Sequence, residues 1–171
     1  MKKLLITAII SLCALQSFGQ AKNWAIGFKL GDPTGLNLRK YGEKTAFDVN
    51  IGTYGWLYGT TRDYRSGQYK SSGLSVTASY LWYTPMFGDN FNIYGGLGAQ
   101  VNSRKYYPDK FSSVDAYVNT ISLGVTPTAG MEYFVPYKPY SVFLEGGLYT
   151  ELIPDIFFVH PQVGLGLRVN F

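Results

Sequence analysis

The sequence predicts an all-β chain: an eight-stranded antiparallel up-and-down barrel that crosses a membrane with its strands and follows a cleaved signal peptide. Three observations carry this. From Asn23 onward the apolar residues recur with period two and never with the period of a helix. Only 15% of the 171 residues are charged, although 17% are aromatic, and an ordinary soluble domain carries roughly 25% charge. The first twenty residues, finally, are built like a secretory signal.

In that signal, Lys2 and Lys3 give a positive start, and residues 4–15 are apolar apart from Thr7 and Ser11. Ser17 and Gly19, or Gly19 and Ala21, offer the small residues a signal peptidase reads. The run is shorter than the roughly 20 residues of a spanning helix. Residues 1–20 are therefore expected to be removed, leaving residues 21–171 as one barrel domain. Cys13 ends an apolar run, as a lipidated cysteine does, but Leu12 precedes it where a small residue is wanted. Without Cys13 the mature chain has no cysteine, which excludes disulfides, thiolate metal sites and thiol nucleophiles. Loss of the two lysines lowers the net charge from +4 to +2. That charge is too small for a nucleic-acid binder, which clusters Lys and Arg on one face.

Eight alternating runs follow. In the first, Trp24, Ile26, Phe28 and Leu30 alternate with Ala25, Gly27 and Lys29. After the Gly31-Asp32-Pro33 turn, Leu36 and Leu38 alternate with Gly35, Asn37 and Arg39. The third run sets Phe47, Val49 and Ile51 against Asp48, Asn50 and Gly52. The fourth sets Leu74, Val76, Ala78, Tyr80 and Trp82 against Ser75, Thr77, Ser79 and Tyr83. The fifth pairs Ile93, Leu97, Ala99 and Val101 with Asn92, Gly96, Gly98, Gln100 and Asn102. The sixth pairs Ile121, Leu123 and Val125 with Thr120, Ser122, Gly124 and Thr126, and runs on past Pro127 to Tyr133. The seventh sets Val142, Leu144 and Leu148 against Ser141, Glu145 and Gly147. The eighth sets Val163, Leu165, Leu167, Val169 and Phe171 against Gln162, Gly164, Gly166, Arg168 and Asn170. A membrane strand needs about 9 to 11 residues, and barrels of this kind have an even number of strands. Eight fit the mature length, and a wide porin does not.

Charge decides which face meets which solvent. A soluble barrel with an apolar interior would carry Lys, Glu and Asp on its other face. Here that face is mostly Gly, Ser, Thr and Asn, with Lys29, Arg39, Asp48, Glu132, Glu145 and Arg168 as its charges. Such a face suits the narrow lumen of eight strands. The apolar face carries only Lys40, near a strand end, and exclusion of charge is what a lipid belt demands. Buried charges persist when paired, so the three cations and three carboxylates are expected to form a luminal ion-pair network that plugs the barrel. Closure brings Lys29 and Arg168 together unless Glu145 lies between or beside them. Two girdles of interfacial aromatics are expected as well. One would hold Trp24, Tyr41, Trp82, Tyr83, Tyr133, Tyr137, Tyr140 and Phe171. The other would hold Tyr54, Trp56, Tyr58, Tyr106, Tyr107 and Tyr149.

The export signal, the eight runs and the terminal Gly166-Leu167-Arg168-Val169-Asn170-Phe171 resemble the small eight-stranded outer-membrane β-barrel proteins of Gram-negative bacteria. The resemblance covers the whole mature chain. It implies an outer-membrane address, and it implies that Gly166, Val169 and Phe171 belong to a signal read by the barrel-assembly machinery. Gly164 stands where that signal usually has a polar residue.

With the amino terminus in the periplasm, the turns 42–44, 85–90 and 136–139 face inward and the longer loops face out. Arg62, Arg65 and Lys70 in loop 55–72, and Arg104 and Lys105 in loop 103–118, are candidates for contact with lipopolysaccharide or another anionic surface. Ile156, Phe157 and Phe158 in loop 152–161 are candidates for an apolar contact with an extracellular partner, for strand extension or for a lid. The reading is a non-enzymatic, monomeric barrel with a structural or surface-interaction role and no cofactor or metal. Its alternatives are a small channel, a lipid or hydrophobic-ligand transporter, and a lipid-modifying enzyme. The enzyme would need a nucleophile, a base and an orienting group, and His160 is the only histidine, with no serine after Ser141 in its hairpin. Gly95-Gly96-Leu97-Gly98 lies within a strand and lacks the helix a dinucleotide fingerprint requires.

Overall fold

Alternating small polar and large apolar residues can satisfy both faces only if the sheet curls up and closes, and closure is what the chain achieves. The structure is a computed structural model that describes residues 23–54, 63–64, 67–71, 73–107 and 118–171. The expected signal segment lies outside these residues. The strands are β1 (Trp24–Gly31), β2 (Thr34–Tyr41), β3 (Thr45–Tyr54), β4 (Asp63–Tyr64), β5 (Gly67–Ser71), β6 (Gly73–Pro85), β7 (Phe91–Tyr107), β8 (Val118–Phe134), β9 (Tyr140–Ile153) and β10 (Val159–Asn170). All but β4 and β5 form one antiparallel ring, each strand paired with its successor. β10 closes on β1 in a register from Ala25↔Asn170 to Gly31↔Gly164. No helix is present among the described residues.

Two short strands were not legible in the sequence. β4 and β5 form a hairpin, and β5 pairs with the end of β7 from Gln68↔Tyr107 to Ser71↔Lys105. Their sequences, Asp63-Tyr64 and Gly67-Gln68-Tyr69-Lys70-Ser71, hold no alternating aliphatic residues to mark them.

The two faces are opposite in kind. Along β6, Leu74, Val76, Tyr80 and Trp82 are exposed while Ser75, Thr77, Ser79 and Leu81 are buried. The same parity holds around the ring. Lys40, the charge on the apolar face, sits over the Trp24 ring at 5.3 Å, where a long side chain at a strand end reaches the interface.

The wall is uneven in height. β1 and β2 have 8 residues each, whereas β7 and β8 have 17 each. The low β1–β2 turn is folded inward: Asp32 is buried, and its N–H donates to the Val163 carbonyl at 2.8 Å. Beyond that bond β10 keeps its β9 ladder, and Pro161, with no N–H to give, sits in that stretch.

Three expectations are corrected by these strand lengths. Loop 103–118 contracts because β7 continues to Tyr107 and β8 begins at Val118. Loop 152–161 contracts to 154–158, and His160 belongs to β10 with an inward, buried side chain. The aromatic girdles also divide differently. Trp24, Trp82, Tyr133, Tyr137, Tyr140 and Phe171 are exposed at the rim opposite the β1–β2 turn. Tyr54, Tyr106 and Tyr149 are instead buried inside, and Tyr41 and Tyr83 turn inward to Glu132. The hydroxyls of Tyr41, Tyr54, Tyr83 and Tyr149 have charged or polar partners in the lumen, which outweighs the interfacial preference of tyrosine. Trp56 and Tyr58 lie outside the described residues.

Candidate functional site

The lumen is built in two polar layers with a narrow space between them. The first layer lies toward the rim of short turns. β2 supplies Arg39, β3 Asp48, β8 Glu132, β9 Glu145, β10 Arg168 and β1 Lys29, all buried. Arg39 lies 2.5 Å from Asp48 and 3.2 Å from Glu132, and its other nitrogen is 3.5 Å from Glu145. Arg168 lies 3.0 Å from Glu132 and donates to Asn37 at 2.6 Å. Asn37 in turn donates to Asp48 at 2.8 Å. Glu145, on β9, reaches past β10 to the strands that closure joins, 2.8 Å from Lys29 and 3.9 Å from Arg168. The six residues therefore form one connected set spread over six strands.

Aromatic and hydroxyl side chains complete that layer, and alternation alone did not single most of them out. Tyr41, Tyr83 and Ser141 donate to Glu132 at 2.8, 2.7 and 2.6 Å. Tyr94 donates to Glu145 at 2.9 Å, and Tyr83 also bonds Arg39. The Arg168 guanidinium lies flat on the Phe143 ring, 3.4 Å from its centroid. Each carboxylate thus meets several donors and cations, the condition under which a buried charge is tolerated.

Two glycines make room for this packing. A Cβ on Gly166 would lie 2.3 Å from the Phe143 ring and 2.5 Å from the Phe28 carbonyl. A Cβ on Gly164 would lie 2.7 Å from the Lys29 stem. Gly164 therefore departs from the usual pattern of the terminal strand because Lys29 lies across it. Of the other residues expected in an assembly signal, Val169 is half-buried on β10, and Phe171 bonds Trp24 through both backbone groups, at 2.8 and 3.1 Å.

The second layer lies toward the opposite mouth. Arg104, expected in a loop, is buried on β7 with its side chain 2.8 Å from Glu151 on β9. It also donates to Ser122 at 3.1 Å and Tyr54 at 3.3 Å, and stacks on Phe158 at 4.9 Å. Beside it His160 meets Asp32 at 3.0 Å and the Tyr54 ring at 4.8 Å. Phe158 is half-buried against Tyr54, Tyr106 and Tyr149, so it turns into the mouth. Ile156 and Phe157 point the other way and are exposed.

Among the other loop candidates, Lys105 is exposed on β7, and Lys70 falls within β5. Arg62 and Arg65 lie outside the described residues. What sequence reasoning missed was the second layer, because the end of β7 that carries Arg104 read as loop 103–118 and Glu151, just before loop 152–161, was not assigned to the lumen. The one available signal was parity: Arg104 keeps step with Gln100 and Asn102, and Glu151 with Glu145 and Gly147.

Between the layers lies a cavity bounded by Lys29, Arg39, Asp48, Asn50, Thr77 and Gln162, among others, with about 20 Å³ for the centre of a water-sized sphere. That is room for one or two waters, and the buried Asn50 amide and Thr77 hydroxyl have no protein partner there. No group of three or more His, Cys, Asp or Glu residues that could hold a metal occurs among the described residues.

A closed eight-stranded antiparallel ring, apolar outside and charged inside, defines a small barrel of the outer-membrane type. The chain is similar in structure to the N-terminal β-barrel domain of Pseudomonas aeruginosa OprF, with a TM-score of 0.62, 14% identity, and coverage of 89% of this chain and 100% of that one. A second solved structure, Neisserial surface protein A (NspA), gives a TM-score of 0.48 at 18% identity over 86% of this chain and 93% of that one. The likeness is one of fold. No protein-family model and no curated protein matches the sequence.

Proposed function

We propose that the chain is exported, loses about its first twenty residues and resides in the outer membrane as a monomeric, non-enzymatic barrel. Its lumen is plugged by ion pairs, and its outward loops perform a structural or surface-interaction role. One observation carries the reading: burial is inverted. Arg39 is 0% exposed and Arg168 1%, while Leu36 is 62% and Leu167 63% exposed. In water this arrangement would strand a continuous apolar belt, and in lipid it leaves no charge facing hydrocarbon. Closure removes the strand edges that hydrocarbon would not tolerate.

The two layers support a plug over a channel, since each spans the lumen with charge pairs and rings. The lipid-modifying reading has one favourable feature, the His160–Asp32 pair, which matches a base and its orienting carboxylate. Both side chains are fully buried, which suits a structural tie better than a centre that must meet a lipid ester. The net positive loop 55–72, with Arg62, Arg65 and Lys70 against Asp63, favours contact with anionic lipopolysaccharide, and the terminal strand favours handling by the barrel-assembly machinery.

The test is fractionation of the expressed protein with alkaline carbonate, followed by gel electrophoresis with and without boiling. The expected result is a carbonate-resistant membrane protein whose unboiled band runs faster than the boiled one. Recovery as a freely soluble periplasmic protein would refute the reading.

A further inference from the structure

The turn 154–158 joins β9 to β10 at the outward mouth, and its backbone is tied in place. The Glu151 N–H donates to the Phe158 carbonyl at 2.9 Å, the Phe157 N–H to the Glu151 carbonyl at 3.1 Å, and the Asp155 N–H to the Glu151 side chain at 3.1 Å. Phe157 is held at a φ of 70°, a left-handed conformation that a bulky residue rarely adopts. The consequence is a two-sided turn. Phe158 enters the mouth and stacks on Arg104, while Ile156 and Phe157 stand 64% and 80% exposed on the outside.

The level of that outside face can be read from the barrel itself. On β7 the outward apolar row ends at Val101 and gives way to Ser103 and Lys105. Val101 pairs with Leu123 of β8, and Leu123 pairs with Ile153 of β9. Strands tilted by roughly 40° and spaced about 4.8 Å apart gain about 3 Å of height per neighbour. Ile153 therefore lies only about 6 Å above the top of the β7 belt. The outward faces of β9 and β10 carry no charge anywhere from Tyr140 to Leu152 or from Val159 to Val169. The exposed Leu152, Ile153, Ile156 and Phe157 thus extend the lipid-facing belt without a break. Tyr54, Tyr106 and Tyr149, which would otherwise furnish aromatics at this level, are turned into the lumen.

We propose that the turn 154–158 is an anchor in the outer leaflet, with Ile156 and Phe157 inserted where acyl chains meet headgroups while Phe158 caps the lumen from the same five residues. The occupant of this apolar face is lipid, and the inference rests on the membrane reading above. An apolar tip contiguous with the belt and a few ångströms above it falls in the zone where interfacial side chains bury by about 5–10 Å.

The experiment places a single tryptophan probe by Phe157→Trp, with Trp24, Trp56 and Trp82 replaced by Phe. Leu144→Trp in the middle of β9 is the reference, and Ile156→Trp is a second probe if the first fails to fold as judged by heat-modifiable mobility. The proteins are reconstituted in phosphatidylcholine vesicles containing lipids brominated at shallow or deep positions of the acyl chain. The Phe157→Trp probe is expected to be quenched about twofold more by shallow than by deep bromines and to be shielded from aqueous iodide, as interfacial depth requires. The Leu144→Trp reference should show the reverse depth order. If that reference is quenched but the Phe157→Trp probe ignores bromolipid, the anchor is overturned while the membrane reading stands. Free access of iodide would then mean a solvated tip, and shielding from iodide would mean cover by a second copy or another protein. If the Leu144→Trp reference also ignores bromolipid, the membrane reading itself falls.

Discussion

Glu132 gathers partners from five other residues of the lumen. It is fully buried and accepts from Tyr41, Tyr83 and Ser141 while facing both Arg39 and Arg168. Glu132→Gln keeps the shape but leaves two guanidinium groups short of one charge. Removing one partner of a buried pair costs about 3–5 kcal/mol, so the urea midpoint for loss of the fast-running band in detergent should fall markedly. An unchanged midpoint would show that the pairs do not hold the barrel together. Gly166→Ala poses a different question, because the new methyl group collides with Phe143 and the Phe28 carbonyl. Overpacking of this kind costs about 1–3 kcal/mol, and the loss should appear in refolding of the purified chain, where no assembly machinery is present. Normal refolding in vitro with failed insertion in cells would instead assign Gly166 to the assembly signal alone. The sequence made the face of each of these residues legible, since parity along a strand is fixed. It left their partners unreadable, because Asn37 meeting Arg168 depends on how strands 131 residues apart are registered.

At the scale of elements, the strands with two unlike faces were recoverable and their outer ends were not. β6 and β10 announce themselves by alternation, whereas β7 beyond Asn102 carries Ser103, Arg104 and Lys105, a run that reads as a charged loop until the β8 ladder is seen to continue to Tyr106↔Val118. β4 and β5 were hidden for the same reason. The turn 154–158 makes the sharpest prediction at this scale. Phe158→Ala removes a ring packed on Tyr54, Tyr106, Tyr149 and Arg104. Truncating a large buried aromatic costs about 3–5 kcal/mol, and for this half-buried ring a clear part of that loss should be seen in detergent unfolding. Phe157→Ala, with its ring outside, should leave detergent unfolding nearly unchanged. Equal effects of the two substitutions would contradict the two-sided turn.

For the whole molecule, closure turns a charge-poor sequence into a charge-dense interior. Among the described residues, Lys29, Arg39, Asp48, Glu132, Glu145 and Arg168, far apart in the chain, meet because β10 returns to β1. The result is a scaffold tied inside by charge pairs, with its longer connections at one end. The space between the layers, about 20 Å³ for the centre of a water-sized sphere, is enough for one or two waters. A plugged lumen is tested most directly by the conductance of the purified, folded protein in a planar lipid bilayer. No current above the detergent background is expected across the voltage range the bilayer withstands. Discrete, reproducible openings that scale with salt concentration would contradict the plugged lumen.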